Sequence, residues 1–432
     1  MPIDTFWKNI VFVPLLLAFA PADHVSAAPQ LSLTSDTIFR SLERDTSEKN
    51  NTQVLPVYEY LQLYYGDREN KGFSFHGYGW GRSDLGDDIF FDKNEDGELL
   101  YGYMEYSHSS NNLNIKLGRQ HVFAGIANES VDGLRVTGDI TPYFTLSAYG
   151  GLPVSLDKEN GRNGDSIWGA KIAHHKGTLY NVGVSYKQIY NDDIEDEEIL
   201  GIDLALTPAG PISFSGLSSR NLLSNEWAEH SYEAPFRLFE KNVRPYFHQF
   251  EYDGLFNTRS NSADPFRFLA GTDETLTIIG SDIYWWQSEK WDLAFKVKNY
   301  DYDIRTDTSR FYSSLLTWHG EELSQVGGEM GVMEGAAAEN DYLLGRAFFY
   351  WDQPADNKAF DFVTGDLLYV YYNETIFGQD NSLFLSLGIG SHFFNKSLAV
   401  KLSVDYSSDP FYDNDFRGTL RIISKFPLLK EE

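Results

Sequence analysis

Asp92-Lys93-Asn94-Glu95-Asp96-Gly97 has the spacing D-x-N-x-D-G, the opening of a calcium loop. Hard oxygen ligands at alternate positions suit a divalent cation, and the glycine allows the sharp turn between them. Asp92, Asn94 and Asp96 are therefore candidate calcium ligands. Against this, the twelfth position is Tyr103 instead of Glu, and an ordinary Asp-Gly turn explains the same residues. The histidines His76, His108, His121, His174 and His175 lack the spacing of a helix-borne metal site. On strands, neighbours such as His174 and His175 point to opposite faces. Ser107-His108-Ser109 joins nucleophile and base types, but it falls at a short turn. No set of residues meets the geometric requirements of catalysis, so the chain reads as a non-enzyme. With no cysteine, thiolate zinc sites, disulfides and C-x-x-C-H haem attachment are excluded.

The elements that hold these residues are strands. Leu113, Ile115 and Leu117 alternate with Asn112, Asn114 and Lys116; Trp291, Leu293, Phe295 and Val297 alternate with Asp292, Ala294, Lys296 and Lys298. The same period of two recurs along the chain, with almost no helical periodicity. One face of each strand suits an apolar surface and the other suits water. That parity turns Lys116, Lys171, Lys187, Lys296, Lys298, Arg346, Lys401, Arg421 and Lys425 inward, with Glu105, Asp203, Asp292, Glu329 and Asp405 among the acids facing them. A charged interior means water or a polar plug in place of a packed core.

The connections alternate in size. Short ones fall near Asp67–Asn70, Ser109–Asn111, Gly138–Pro142 and Lys176–Thr178, and longer polar ones at 83–97, 152–165, 190–198, 255–274, 373–381 and 407–415. Tight turns at one end and long loops at the other are the layout of an outer-membrane β-barrel. The expected fold is all-β: one large transmembrane antiparallel up-and-down barrel of about 22 strands (18–24), occupying residues 28–432. Residues 1–27 read as a cleaved secretory signal, with Lys8 before the apolar stretch Ile10–Ala20 and small residues at Val25-Ser26-Ala27. Thr419–Phe426 alternates and ends in an aromatic; it resembles the last strand by which outer-membrane barrels are recognised, and that resemblance implies Phe426 as an assembly signal for the barrel assembly machinery.

The 432 residues carry 35 Lys+Arg against 63 Asp+Glu, a net charge of −28. Phosphate would be repelled, which excludes nucleic acid as a partner. The acids crowd the expected outer loops at Asp84, Asp87, Asp88 and at Asp192, Asp193, Glu195 and Asp196, where they resist aggregation and could bridge cations to lipopolysaccharide. No cofactor other than such calcium is expected.

Leu117-Gly118-Arg119-Gln120 followed by Val131-Asp132-Gly133-Leu134-Arg135-Val136 resembles a paired strand motif of alginate-export-type porins. A bulge at Gly118 would re-aim Arg119 or Gln120 into the lumen; without it, Arg119 shares the lipid-facing parity of Leu117. Pro56–Tyr64 and Ser74–Arg82 resemble porin-like proteins of metal-reducing bacteria. The resemblances imply an outer-membrane porin-type channel for ions or small polar solutes. The alternative they imply is a scaffold sheathing a periplasmic multihaem cytochrome.

Overall fold

The computed structural model describes residues 30–44, 52–66, 72–87, 90–108, 112–154, 164–208, 211–239, 241–251, 274–303, 308–335, 341–352, 360–410 and 412–427. The signal segment, the turns Asp67–Asn70 and Ser109–Asn111, and most of the connections 152–165 and 255–274 lie outside the described residues.

Twenty-four strand segments form one sheet, and every pairing between them is antiparallel. Thr52–Val54 continues into Pro56–Gly66, and Trp227–Glu233 continues into Phe236–Leu238, so the wall has 22 strands. The first strand, Gln30–Arg44, pairs with Pro56–Gly66 on one edge and with the last strand, Tyr412–Pro427, on the other. The sheet is therefore a closed barrel without a free edge.

Side-chain ladders reinforce this closure. Arg421 grips Asp36 with Nη2 at 2.6 Å and Nε at 2.9 Å, and Arg44 grips Asp415 at 2.6 and 2.8 Å. Both are forked guanidinium–carboxylate pairs, whose geometry fixes register as well as adding attraction. Leu33 and Phe426 face each other in register.

The apolar halves of the alternating strands stay exposed, as at Leu117, Leu134, Leu146, Ile172, Val184 and Ile202. Such an outer surface is stable only against lipid. Exposed aromatics cluster beside the short turns, at Phe73, Tyr143, Phe239, Trp351, Phe394 and Phe426. A second set, including Trp168, Trp227 and Phe416, lies toward the other end. Paired aromatic girdles around an apolar band are the outer face of a membrane barrel.

Three connections expected to be long are tight. Tyr180–Asn191 and Ile194–Leu206 are joined by Asp192 and Asp193 alone, at φ 52° and 62°. Phe377 and Gly378, at φ 51° and 87°, join the strands ending at Ile376 and starting at Gln379. Leu398–Asp409 and Tyr412–Pro427 leave two residues between them. Consecutive left-handed residues match the right-handed twist of a hairpin. Glu195, Glu197 and Glu198 pair with Tyr190, Ile189 and Gln188, with a bulge at Asp196. Beyond the bilayer both faces of a strand meet water, so pairing continues after alternation has stopped. The acid of the 83–97 connection also does structural work: buried Asp84 accepts the amides of Leu55 at 2.9 Å and Gly86 at 3.0 Å.

Candidate functional site

Strand Leu113–Ala124 stays paired with Glu95–His108 only as far as Arg119 opposite Gly102. From there it leaves that neighbour and continues as a hairpin with the start of Ala127–Thr141. The departure is made at glycine. Gly118 has φ 123°, and a Cβ there would lie 2.3 Å from the Gly102 carbonyl oxygen. Its partner Gly133 meets Gly151 on the next strand, where a Cβ would lie 2.1 Å from the Gly150 carbonyl oxygen. Only glycine lets the backbones approach this closely. Gln120, 2% exposed, braces the bend by donating its amide to the carbonyls of Lys116 at 3.2 Å and Gly133 at 3.3 Å.

The hairpin tip docks three strands away. Ile126 donates its amide to Ser185 Oγ at 3.2 Å on Tyr180–Asn191. Ser185 and Lys187 alternate with exposed Val182 and Val184, so the docking face is the polar interior of the barrel. Beneath the hairpin, Val122, Ala124, Ala127 and Val131 pack on Tyr149 and Ile167 as a small buried cluster. Each fully buried Val or Ile contributes about 1.5–3 kcal/mol. Lys187, 5% exposed, holds the hairpin by charge: its Nζ donates to Glu129 of the hairpin at 2.5 Å and lies 2.7 Å from Glu197 of the wall.

The other hairpin face carries Arg119, His121, Phe123, Asn128, Ser130 and Asp132. Arg119 grips Asp132 at 2.7 and 2.9 Å and donates to the carbonyl of Leu99 at 2.7 Å. It thereby satisfies a backbone acceptor where the hairpin leaves the wall. Strand parity would have sent Arg119 to lipid, but the bend turns its face toward the lumen.

The other charges on the polar face form mostly local pairs. Lys116 Nζ lies 3.5 Å from Glu105, Lys171 donates to Asp203 at 2.7 Å, and Arg346 grips Asp366 at 2.6 and 2.9 Å. Lys296 and Lys298 alternate with exposed Phe295 and Val297, and Lys401 stands opposite Arg421 in register.

Asp96 sits in strand register opposite Arg82 and accepts the amide of Gly97 at 2.8 Å. Among the described residues, no three His, Asp or Glu side chains come together as a metal site requires. Ser107 and His108 are consecutive strand residues on opposite faces, and Ser107 donates to Glu105 at 3.3 Å.

Sequence reasoning missed a ladder of rings on the polar face of three adjacent strands, Pro56–Gly66, Gly72–Asp84 and Glu95–His108. Trp80 meets Tyr58 at 6.3 Å between centroids, Tyr58 meets Tyr60 at 6.5 Å, and Tyr60 meets Tyr78 at 6.2 Å. The run continues through Tyr101 at 5.4 Å and Tyr103 at 5.8 Å to His76 at 4.7 Å and Tyr64 at 5.0 Å. Cations flank it, with Arg40 5.4 Å from the Tyr58 ring and Lys116 4.7 Å from the Tyr103 ring. The signal was present in the sequence: these aromatics share the strand parity of Glu105 and Arg82, opposite to that of Leu61, Leu63 and Phe73.

No protein-family profile matches the chain, and no curated protein sequence matches it. Among solved structures it is similar to Pseudomonas aeruginosa OccK8 (OprE), at 11% identity over 93% of this chain and 99% of that one, with TM-score 0.43. It is also similar to Pseudomonas aeruginosa OccD3 (OpdP), at 13% identity over 94% and 93%, TM-score 0.45. A BenF-like porin from Pseudomonas fluorescens Pf-5 is similar at 9% identity over 94% and 100%, TM-score 0.45.

Proposed function

We propose that this chain is an integral outer-membrane channel of porin type that passes ions and small polar solutes passively. The observation that carries the reading is the hairpin docked on the interior wall. Twenty-two tilted strands enclose a bore roughly 40 Å across between backbones, too wide to discriminate among small solutes unaided. An element fixed inside narrows the water path without sealing it. It also takes up space that a sheathed cytochrome would need, which favours the channel over the scaffold. Purified protein in a planar bilayer should give discrete conductance steps. A folded, inserted barrel that passes no current would overturn the proposal.

Ion preference follows from charge near the path, because only charges within about 10 Å act at 0.1 M salt. The wall charges cancel largely in pairs, while Asp192, Asp193, Glu195 and Asp196 stand at an outer hairpin. A modest cation preference is expected, stronger in dilute salt and reduced when these four are neutralised together. A reversal potential in a salt gradient measures it. Anion preference unaffected by the quadruple substitution would assign selectivity to the inward lysines.

Assembly is proposed to depend on the last strand being recognised by the barrel assembly machinery, with lipopolysaccharide around the outer loops. Phe426 is exposed on the lipid-facing register near the short-turn end. Phe426→Ala should lower the amount of membrane-inserted barrel, and deletion of Leu428–Glu432 should leave it nearly unchanged. Quantifying protein in outer-membrane fractions checks this, and equal levels of the two variants would remove Phe426 from any recognition role.

A further inference from the structure

We propose that the ring ladder is a stacking track for neutral pyranose oligosaccharides, the solute class of the channel proposed above. Trp80, Tyr58, Tyr60, Tyr78, Tyr101 and Tyr103 make successive ring contacts on the lumen face of three adjacent strands. From His76 to Trp80 alone the track advances about 13 Å along its strand. None of these rings is fully buried. Aromatic side chains with a wet hydroxyl or indole edge normally bury the ring and expose the polar tip. A half-buried row of them on the polar face is therefore an unusual interior for a polar pore.

The chemistry selects the ligand. A pyranose ring has a flat patch of C–H groups on its face and hydroxyls around its rim. The patch stacks on an aromatic face, while the rim requires donors and acceptors at the edge of the stack. Both are present. Gln62 donates to the Tyr101 hydroxyl at 2.8 Å, and the Asp36–Arg421 pair stands on the next strands with one carboxylate and one guanidinium. The Asp36–Arg421 and Lys116–Glu105 pairs each cancel internally and Arg40 is left as a further donor at the rim, so a neutral, hydroxyl-rich chain fits the rings best. Rings arranged in series let one sugar unit move to the next without losing all contacts at once, which is what passage needs: binding at several weak sites. The hairpin lies beside the track, because Arg119 bonds to Leu99, two residues before Tyr101.

The test uses the full barrel folded in detergent and titrated calorimetrically with maltohexaose and, separately, cellohexaose. Binding of at least one is expected. Tyr60→Ala, Tyr78→Ala and Trp80→Ala should each weaken it by about tenfold. Tyr60→Phe and Tyr78→Phe, which keep the ring, should retain most of it. Tyr342→Ala, on the same face elsewhere in the wall, should change nothing. In a bilayer the same glycan should block the ionic current, with the same order among the variants. Absence of glycan binding by a conducting barrel overturns the proposal, as does binding of benzoate in place of both glycans. Glycan binding by a barrel that conducts nothing would uphold the track and overturn the channel reading instead.

Discussion

Lys187→Met is expected to turn a quiet channel into a flickering one. Lys187 is the charged link between the hairpin and the wall, shared by Glu129 and Glu197. Removing one partner of a fully buried ion pair costs about 3–5 kcal/mol. Here the two carboxylates are 23% and 35% exposed, so water recovers part of that loss. Losing about 2 kcal/mol changes the undocked population by roughly thirtyfold. The apolar underside and the Gln120 brace remain, so the hairpin should still be docked for most of the time. The signature is accordingly more frequent excursions to higher conductance, with the main level nearly kept. Neutralising all three groups, as Lys187→Met with Glu129→Gln and Glu197→Gln, should restore quiet traces, because no charge is then left unpaired. Gly125→Val attacks the tip by a different route. Its φ is 67° and its Cβ would lie 2.2 Å from Ser185 Oγ. It should flicker like Lys187→Met. Open-channel noise equal to wild type in both variants would dismiss the docked hairpin as the narrowing element.

Gly133→Val is expected to abolish folding of the barrel. Gly133 and Gly151 face each other across two strands, and a Cβ on either would lie 2.1 or 2.3 Å from a backbone carbonyl oxygen. No side-chain rotation relieves a clash with backbone, so two strands would have to separate. Overpacking a core costs about 1–3 kcal/mol, and this clash exceeds that case because the neighbour cannot yield. Gly345→Val is the contrast: a Cβ there meets nothing within 4 Å. Electrophoretic mobility with and without heating separates folded from unfolded barrels. Gly133→Val should run only as the unfolded species, and Gly345→Val should match wild type. A folded, conducting Gly133→Val barrel would refute the close approach at the bend.

How far the sequence could be read depended on where each residue sits relative to lipid. In mid-wall, one face is greasy and the other wet, so residues such as Leu113 to Leu117 report strand, parity and side at once. The strand count and the antiparallel meander came from that signal. Past the bilayer edge the contrast vanishes, and Glu195 to Glu198 looked like a loop although they continue a ladder. The hairpin was half legible. Gly118 pointed to a bend and Arg119 to a broken parity, but the docking partner Ser185 lies 59 residues from Ile126. Such a contact leaves no local pattern. The ring ladder was hidden for another reason: aromatics are common in barrel strands, and only alignment of three strands in register separates a row of rings from scattered ones.

The pairing of the first and last strands also bears on how the protein is made. Asp36 and Arg421 are 385 positions apart. At 5–20 residues per second, roughly 20–80 s of synthesis separate the two partners. Through that interval, and until insertion, the strand Gln30–Arg44 lacks one neighbour and exposes a row of unpaired amides and carbonyls. Long unpaired edges recruit other chains. A strongly acidic polypeptide repels its own copies, which lowers the chance of such encounters. The net charge of −28 is therefore expected to keep copies of the unclosed chain apart until its first and last strands pair.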